Sequence, residues 1–398
     1  MVSSLLLVNF QNIQAAPEAA ENTWQTLQSL PEPISGVAVT VGEKIYIFSS
    51  RNYTTHLFVY DTRNQTLNET TSMPTYRPGF GVAVVDHKIY TIGGDHSYHL
   101  PGGAVRGYLT NITEAYDTQT GTWETKQSTI DYSGALIANT INGKIYAIYP
   151  GGRYSGSTVI NTGLNIDIYD QETDNWTRKS ALPQEVSYPR CSCVIDDKIY
   201  VITDNTAETT IGEGKLHIYD TTTDNWSTGA TLPTFYKQSS MVATTGEHAP
   251  KQIYLVGGAI YARLDFGNFD CFNATFCYDP VSDSWSRAAD MPTARQSAAV
   301  AVVDDKIYAL GGKIQAYWLD PSQTSAVEVY TPFGYVAEQP TQQPSASPSN
   351  NPESPQLILP EATAVIAGAA IAGIAIAATA ILVYRHKHLK TFKQNKPN

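Results

Sequence analysis

Cysteine is scarce, with four residues in 398, too few to staple a fold, so a disulfide-built scaffold is excluded. Charge is thin as well: 16% of residues are Asp, Glu, Lys or Arg, and basic residues are the minority, 26 against 37 acidic. Five of the 26 lie in the last fourteen residues, Arg385 to Asn398, which contain no acid. The remainder therefore carries 21 basic against 37 acidic residues, a balance of −16. That deficit of positive charge argues against a nucleic-acid partner for the main body. A phosphate-binding loop, an HExxH helix and a nucleophile elbow are all absent, which removes three large enzyme classes. The 25 tyrosines, 28 glycines and 22 prolines suit strands and turns better than long soluble helices.

Long apolar runs are missing with one exception. Ala362 to Tyr384 is uncharged throughout and long enough to cross a hydrocarbon core of about 30 Å, so it reads as a transmembrane helix (362–384) in contact with membrane lipid. Ala364/Gly368 and Ala369/Gly373 are at small-xxx-small spacing, a pattern that lets two such helices pair into a homodimer. The basic residues 385–398 after the span favour a cytoplasmic tail. Before it, residues 336–361 are rich in Pro, Ser, Gln and Asn and read as a solvated stalk, at most about 70 Å long in polyproline geometry. Residues 1–20 read as a signal peptide or a disordered leader.

The body is a repeat. Lys44-Ile45-Tyr46 recurs as Lys88-Ile89-Tyr90, Lys144-Ile145-Tyr146, Lys198-Ile199-Tyr200, Gln252-Ile253-Tyr254 and Lys306-Ile307-Tyr308, with tyrosines 44, 56, 54, 54 and 54 residues apart. Each copy follows an apolar segment and a polar turn, and each leads to a second tyrosine: Tyr60, Tyr116, Tyr169, Tyr219, Tyr278 and Tyr330. In the first five an Asp follows, and six positions later comes Leu67, Trp123, Trp176, Trp226 or Trp285. Each unit thus predicts four short strands, a to d. A four-stranded sheet cannot bury its own faces, so repetition at this period predicts an all-β propeller.

With Gly93-Gly94, Gly257-Gly258 and Gly311-Gly312, the Tyr-Asp steps, the spaced Trp and the matching links Met73–Arg77 and Met291–Arg295, residues 21–335 resemble the kelch repeat. The first, third and fourth units depart from it at the glycine pair, with Ser49-Ser50, Tyr149-Pro150 and Thr203-Asp204. The last unit lacks a strand d, whereas the chain opens with Asn22-Thr23-Trp24, a strand d without its unit. Donating that strand to the sixth blade closes the ring and hides an open edge. The repeated Trp and Tyr-Asp are expected to pack blades, not to bind ligand.

In such a blade the a–b and c–d turns share one face, and the b–c and d–a connections share the other. The b–c connections are the long ones, so this face is expected to bind a glycan or a protein. Candidate binding residues on it are Arg77, Arg106, Arg153, Tyr154, Tyr188, Arg190, Tyr236, Tyr261, Arg263, Arg295, Tyr317 and Trp318. Galactose oxidase shares this kind of propeller, and that resemblance would imply a copper site of His, Tyr and Cys. His56, His96, Tyr98, His99 and Cys271 are the residues to consider, but the further domain that completes such a site has no counterpart before the stalk. A non-catalytic module without metal or cofactor is the expectation. A copper oxidoreductase and a cytosol-facing, tail-anchored scaffold are the alternatives. Cys271 and Cys277 are near enough in sequence for a local disulfide. Seven N-glycan acceptors, at Asn52, Asn64, Asn68, Asn111, Asn175, Asn225 and Asn273, lie in or beside expected connections. They favour a type I protein of the cell surface or an endomembrane, with the propeller outside or lumenal.

Overall fold

The computed structural model describes residues 20–99, 105–134, 136–155, 158–182, 189–203, 214–234, 237–261, 269–315 and 322–337. The span 362–384 and the stalk beyond its first two residues, 336 and 337, lie outside these residues. Among the described residues no helix is long and apolar enough to cross a membrane.

Six four-stranded antiparallel sheets follow one another as the blades of a propeller. Strand a of each blade lines a central cavity of about 430 Å³, through residues such as Val39, Ala83, Asn139, Cys193, Val242 and Ala301. Blade 1 runs from Val37–Val41 to Thr66–Glu69, and blade 2 from Gly81–Val85 to Thr122–Lys126. Blade 3 runs from Ile137–Ile141 to Asn175–Leu182, blade 4 from Pro189–Ile195 to Asn225–Thr228, and blade 5 from Ser240–Ala243 to Ser284–Arg287. Blade 6 takes Ala299–Val303, Lys306–Leu310 and Val327–Thr331 from the end of the ring and its outer strand, Thr23–Thr26, from the start. Trp24 stands opposite Tyr330, as the sequence predicts.

The core is six apolar wedges, one at each blade interface. Phe48, Leu57 and Tyr116 fill the first, and Tyr254, Ile307 and Tyr330 the one between blades 5 and 6. Within a blade the strand-c Tyr meets the Trp of strand d, with ring centroids 5.0 Å apart for Tyr169–Trp176, Tyr219–Trp226 and Tyr278–Trp285. The same Tyr also packs on the strand-b Tyr of the preceding blade, at 5.6 Å for Tyr90–Tyr169 and 5.5 Å for Tyr254–Tyr330.

The residue two before the Trp completes the joint. Asn22, Gln65, Gly121, Asp174, Asp224 and Asp283 all have φ between 48° and 71°, the left-handed region that Asn, Asp and Gly tolerate best. Asp174 accepts from Tyr169 at 2.6 Å and from the backbone N–H of Gln127, in the preceding link, at 3.0 Å. Asp283 does the same for Tyr278 and Ala230, and Asn22 for Tyr330 and Ala289. The indole N–H then reaches back a blade, from Trp24 to Ala289, Trp176 to Gln127 and Trp285 to Ala230. Ring closure at blade 6 is thus chemically the same joint as the covalently continuous ones. In the first blade, where Gln65 holds the position two before Leu67 and accepts from the Gln28 N–H, the Tyr60 hydroxyl is buried without a partner.

The b–c connections are not the irregular loops that their composition suggests. Asp95–His99 pairs with Val105–Leu109, Ala259–Tyr261 with Phe269–Cys271, and Lys313–Gln315 with Ser322–Gln323, each as a two-stranded ribbon. In blade 3, strands b and c continue into the same feature as Lys144–Ser155 and Thr158–Asp170, with a bulge at Gly151/Gly152. The glycine pairs are the hinges between blade and ribbon. Gly93 and Gly94 have φ of 63° and 110°, and a Cβ on Gly93 would come within 2.7 Å of the Ser133 carbonyl.

The chain leaves the propeller on the opposite face. Gly334 N–H donates to Glu21 at 2.9 Å, and Val336 N–H to the His248 carbonyl, in the a–b connection of blade 5, at 2.7 Å. Lys306, just past the a–b turn of blade 6, sits 5.0 Å from the Tyr335 ring.

Candidate binding face

Two of the arginines expected on the binding face are not on any surface. Arg77 and Arg295 are both 0% exposed, and their terminal guanidinium nitrogens are engaged by buried acceptors, although the Arg77 Nε has no partner. Arg77 donates to the Gly93 and Thr91 carbonyls and pairs with Glu114 at 3.0 Å. Arg295 donates to the carbonyls of Gly311, Ala326 and Ala309 and pairs with Glu328 at 2.6 Å. Thr75 and Thr293, two residues earlier, donate to the second oxygens of the same two carboxylates at 2.7 and 2.6 Å. Burial pushes both guanidinium groups below their ordinary value, Arg295 to about 10, while the partner glutamate resists the shift. Thr-x-Arg in the d–a link is therefore a clamp on strand c. The expectation that these two arginines contact a ligand is corrected by their burial.

Blade 3 solves the same problem differently. Its strand c carries Asp167, 0% exposed, where blades 2 and 6 carry Glu. Its link has Asp131 and Ser133 in place of Thr and Arg. The cation comes instead from strand d: Arg178 donates to Asp167 at 2.8 Å and to Asp131 at 2.9 Å. The Tyr149 hydroxyl donates to the other Asp167 oxygen and accepts from Arg178 at 2.6 Å. Burial and the Asp167 carboxylate push the Tyr149 phenol far up, and the bond to Asp167 holds Arg178 above its ordinary value. Tyr149-Pro150, a departure from the glycine pair, thus has a role of its own.

The other candidates divide by position. Arg190 is exposed, on strand a of blade 4. Arg106 and Tyr261 lie on the ribbons of blades 2 and 5, and Arg153 and Tyr154 on the extended hairpin of blade 3, opposite Ile160 and Val159. Tyr188, Tyr236, Arg263, Tyr317 and Trp318 lie outside the described residues.

Sequence reasoning passed over a set of aromatic residues on this face. Tyr53 and Tyr108 are each 54% exposed and Tyr132 66%, with Ile130 beside it at 44%. Tyr53 occupies the tight b–c turn of blade 1, Tyr108 the ribbon of blade 2, and Tyr132 the link into blade 3. Tyr76, in the link before blade 2, meets Tyr53 edge-on at 5.7 Å. The available signal was topological: Asn52-Tyr53 is the b–c turn of the first unit, however short.

Burial pushes all four thiols above their ordinary value, Cys191 to about 12 and Cys193 well above it. Cys271 and Cys277, expected as a disulfide candidate, are free thiols with separate partners, the Lys313 carbonyl and the Gln252 side chain, each at 3.3 Å. They belong to different sheets, Cys271 to the ribbon and Cys277 to strand c. Among the residues weighed for copper, His56 is bonded to Glu69 at 2.6 Å. Among the described residues no group of three His, Cys, Asp or Glu is placed to hold a metal ion. Asn52, Asn64, Asn68, Asn175 and Asn225 are exposed, and Asn111 and Asn273 half-buried. Asn68 lies within the outer strand Thr66–Glu69 rather than in a connection.

Comparison with known proteins agrees with this construction. The Kelch motif family model matches residues 76–128, which span the link into blade 2, the blade itself and the start of the next link. "Kelch-like protein terF" of Aspergillus terreus is 29% identical over 245 residues, 60% of this chain and 50% of that protein. "Kelch-like protein 36" of Rattus norvegicus is 26% identical over 278 residues, 68% of this chain and 41% of that one. The chain thus matches half or less of the length of these relatives. A solved structure titled "Structure of YjhT" superposes with a TM-score of 0.60 at 14% identity, covering 76% of this chain and 96% of that one, a likeness of fold.

Proposed function

Since the chain is a kelch-repeat β-propeller, we propose that it is a non-catalytic binding scaffold whose b–c face recognises a protein partner. We further propose that it is held at a membrane through residues 362–384. The observation that carries the first part is the face itself: the b–c turn of blade 1, the ribbon of blade 2 and the link into blade 3 present Tyr53, Tyr108 and Tyr132 to solvent. Exposed tyrosines supply large contact area at little conformational cost. The anchoring reading draws on the uncharged segment and the basic tail after it. The last described residues, among them Gly334 and Val336, are seated on the opposite face.

Photo-crosslinking residues placed in the full chain at positions 53, 108 and 132 should capture a common protein partner in cells. The same residue at Asp86 or Asp304, in the opposite-face turns, should capture none. Equal yields from both faces would overturn the assignment of the binding face. Capture lost after glycosidase treatment of the cells would convert the partner from protein to glycan. For topology, a peptide N-glycosidase should lower the apparent mass, and an antibody to residues 385–398 should bind intact cells only after permeabilisation. No mass shift, with the propeller accessible from the cytosol, would make it a tail-anchored cytosolic scaffold.

A further inference from the structure

The sector of the b–c face between blades 1 and 3 is built around a carboxylate that forms no ion pair among the described residues. Asp95 opens the blade 2 ribbon. Its backbone N–H is held by the Pro78 carbonyl at 2.7 Å, and that of Gly94 by the Ser133 carbonyl at 2.7 Å. A Cβ on Gly134 would lie 3.9 Å from the Asp95 Cβ. The side chain is therefore seated between the link bearing Tyr76 and the link bearing Tyr132. One of its carboxylate oxygens, Oδ1, is buried with no hydrogen-bond partner.

The contrast with the strand-c acids is direct, because Glu114, Asp167 and Glu328 each have an arginine. Among the described residues no ion pair reaches Asp95. Arg51, at the end of strand b in blade 1, is paired with Glu32 at 2.7 Å. A buried carboxylate oxygen without a donor is costly, and a cation drawn to the carboxylate relieves that cost. The faces of tyrosine rings attract the same kind of group. Resting on the protein-binding reading of this face, we infer that the partner inserts a basic side chain, lysine or arginine, into this sector. The carboxylate of Asp95 receives it, and Tyr53, Tyr76 and Tyr132 flank it. The balance of 21 basic against 37 acidic residues ahead of the tail gives the body a field of the sign that guides such a partner.

The test uses the full chain in detergent and two fluorescein-labelled peptides, one alternating arginine with glycine and the other glutamate with glycine. Fluorescence anisotropy at about 0.15 M salt limits diffuse attraction. The arginine peptide should bind and the glutamate peptide should not. Asp95→Asn, nearly isosteric, should weaken binding about tenfold or more. Tyr76→Ala should weaken it as well, and Asp304→Asn on the opposite face should leave it unchanged. Unchanged binding by Asp95→Asn, or an equal loss in Asp304→Asn, would overturn the inference. If the position-108 crosslinker captures a partner that the arginine peptide does not displace, this inference fails while the assigned face stands. If the arginine peptide binds through Asp95 and no crosslinker on the face captures a protein, the broader reading fails instead.

Discussion

Blades 2 and 6 and blade 3 meet one requirement by two routes. Each has an acid buried on strand c, at Glu114, Glu328 or Asp167, and each neutralises it with one arginine. In blades 2 and 6 the arginine comes from the incoming link and is sealed, 0% exposed. In blade 3 it comes from the outer strand, its side chain remains 37% exposed, and it is shared with Asp131 on the surface. The difference teaches that what the fold needs at this position is charge balance and not a particular motif. It also separates a sealed clamp, which only holds the fold, from an open one, which contributes to the surface of the b–c face.

The comparison breaks most sharply at the sealed clamp. Arg295→Met strands Glu328 in the core and should cost about 3–5 kcal/mol, read from urea unfolding. Adding Glu328→Leu should restore much of that loss. A double variant no better than the single one would mean that the ion pair is not what holds the link. Next in size is the borrowed strand. Trp24→Ala and Trp285→Ala should each cost about 3 kcal/mol, because the two indoles make the same bond to the preceding link. A much smaller effect at Trp24 would show that blade 6 closes less tightly than its neighbours.

Arg178→Gln, the open counterpart of Arg295→Met, should cost only about 1–2 kcal/mol. The side chain is half-exposed, and Tyr149 still donates to Asp167. A loss as large as that of Arg295→Met would erase the distinction between open and sealed clamps.

The smallest effect is acid sensitivity. The Thr120 N–H holds Asp117 below the ordinary 3.8, and the Tyr169 hydroxyl does the same for Asp174. Burial pushes Asp305 upward, but N–H donors from Thr245, Ala249 and His248 outweigh it and leave a net lowering. Since these folded-state values lie below the unfolded ones, their stabilisation is fully present above that ordinary value. It is lost as the pH falls through the depressed values. Urea midpoints should therefore be flat from roughly pH 6 to 5 and decline below pH 4. Asp305→Asn should reduce that decline, and an identical slope would remove Asp305 from the account.

The ring was legible because repetition multiplies a weak signal. Six Lys/Gln-Ile-Tyr steps at near-constant spacing predict six blades, and Trp24 without a unit of its own predicts the closure that is found. The aspartates two before Trp176, Trp226 and Trp285 were also visible, although their left-handed φ and their bond to the neighbouring Tyr were not. Site residues were harder to read. Arg77 and Arg295 look like exposed cations in a polar link, and only the depth of the link turns them into a buried clamp. Tyr53 looks like part of a minor turn, and only the shared face of the b–c connections brings it to Tyr76. The ribbons at Asp95–His99 and Val105–Leu109 escaped notice because each strand is short and polar, and it pairs through the backbone, which carries no signature in side-chain type.

The sequence alone determined the architecture: the number of blades, the strand that closes the ring, and the acidic character of the body. Those follow from periodicity and composition, which survive one-dimensional reading because each repeat buries the same residues against the next. Tertiary structure alone decided which arginines are sealed, that Arg178 substitutes for a missing link arginine, and that Asp95 lies between the links on either side of blade 2 with one carboxylate oxygen unpartnered. Those are relations among residues tens of positions apart, and what each side chain can do there is set by burial and by the neighbours that the fold brings to it.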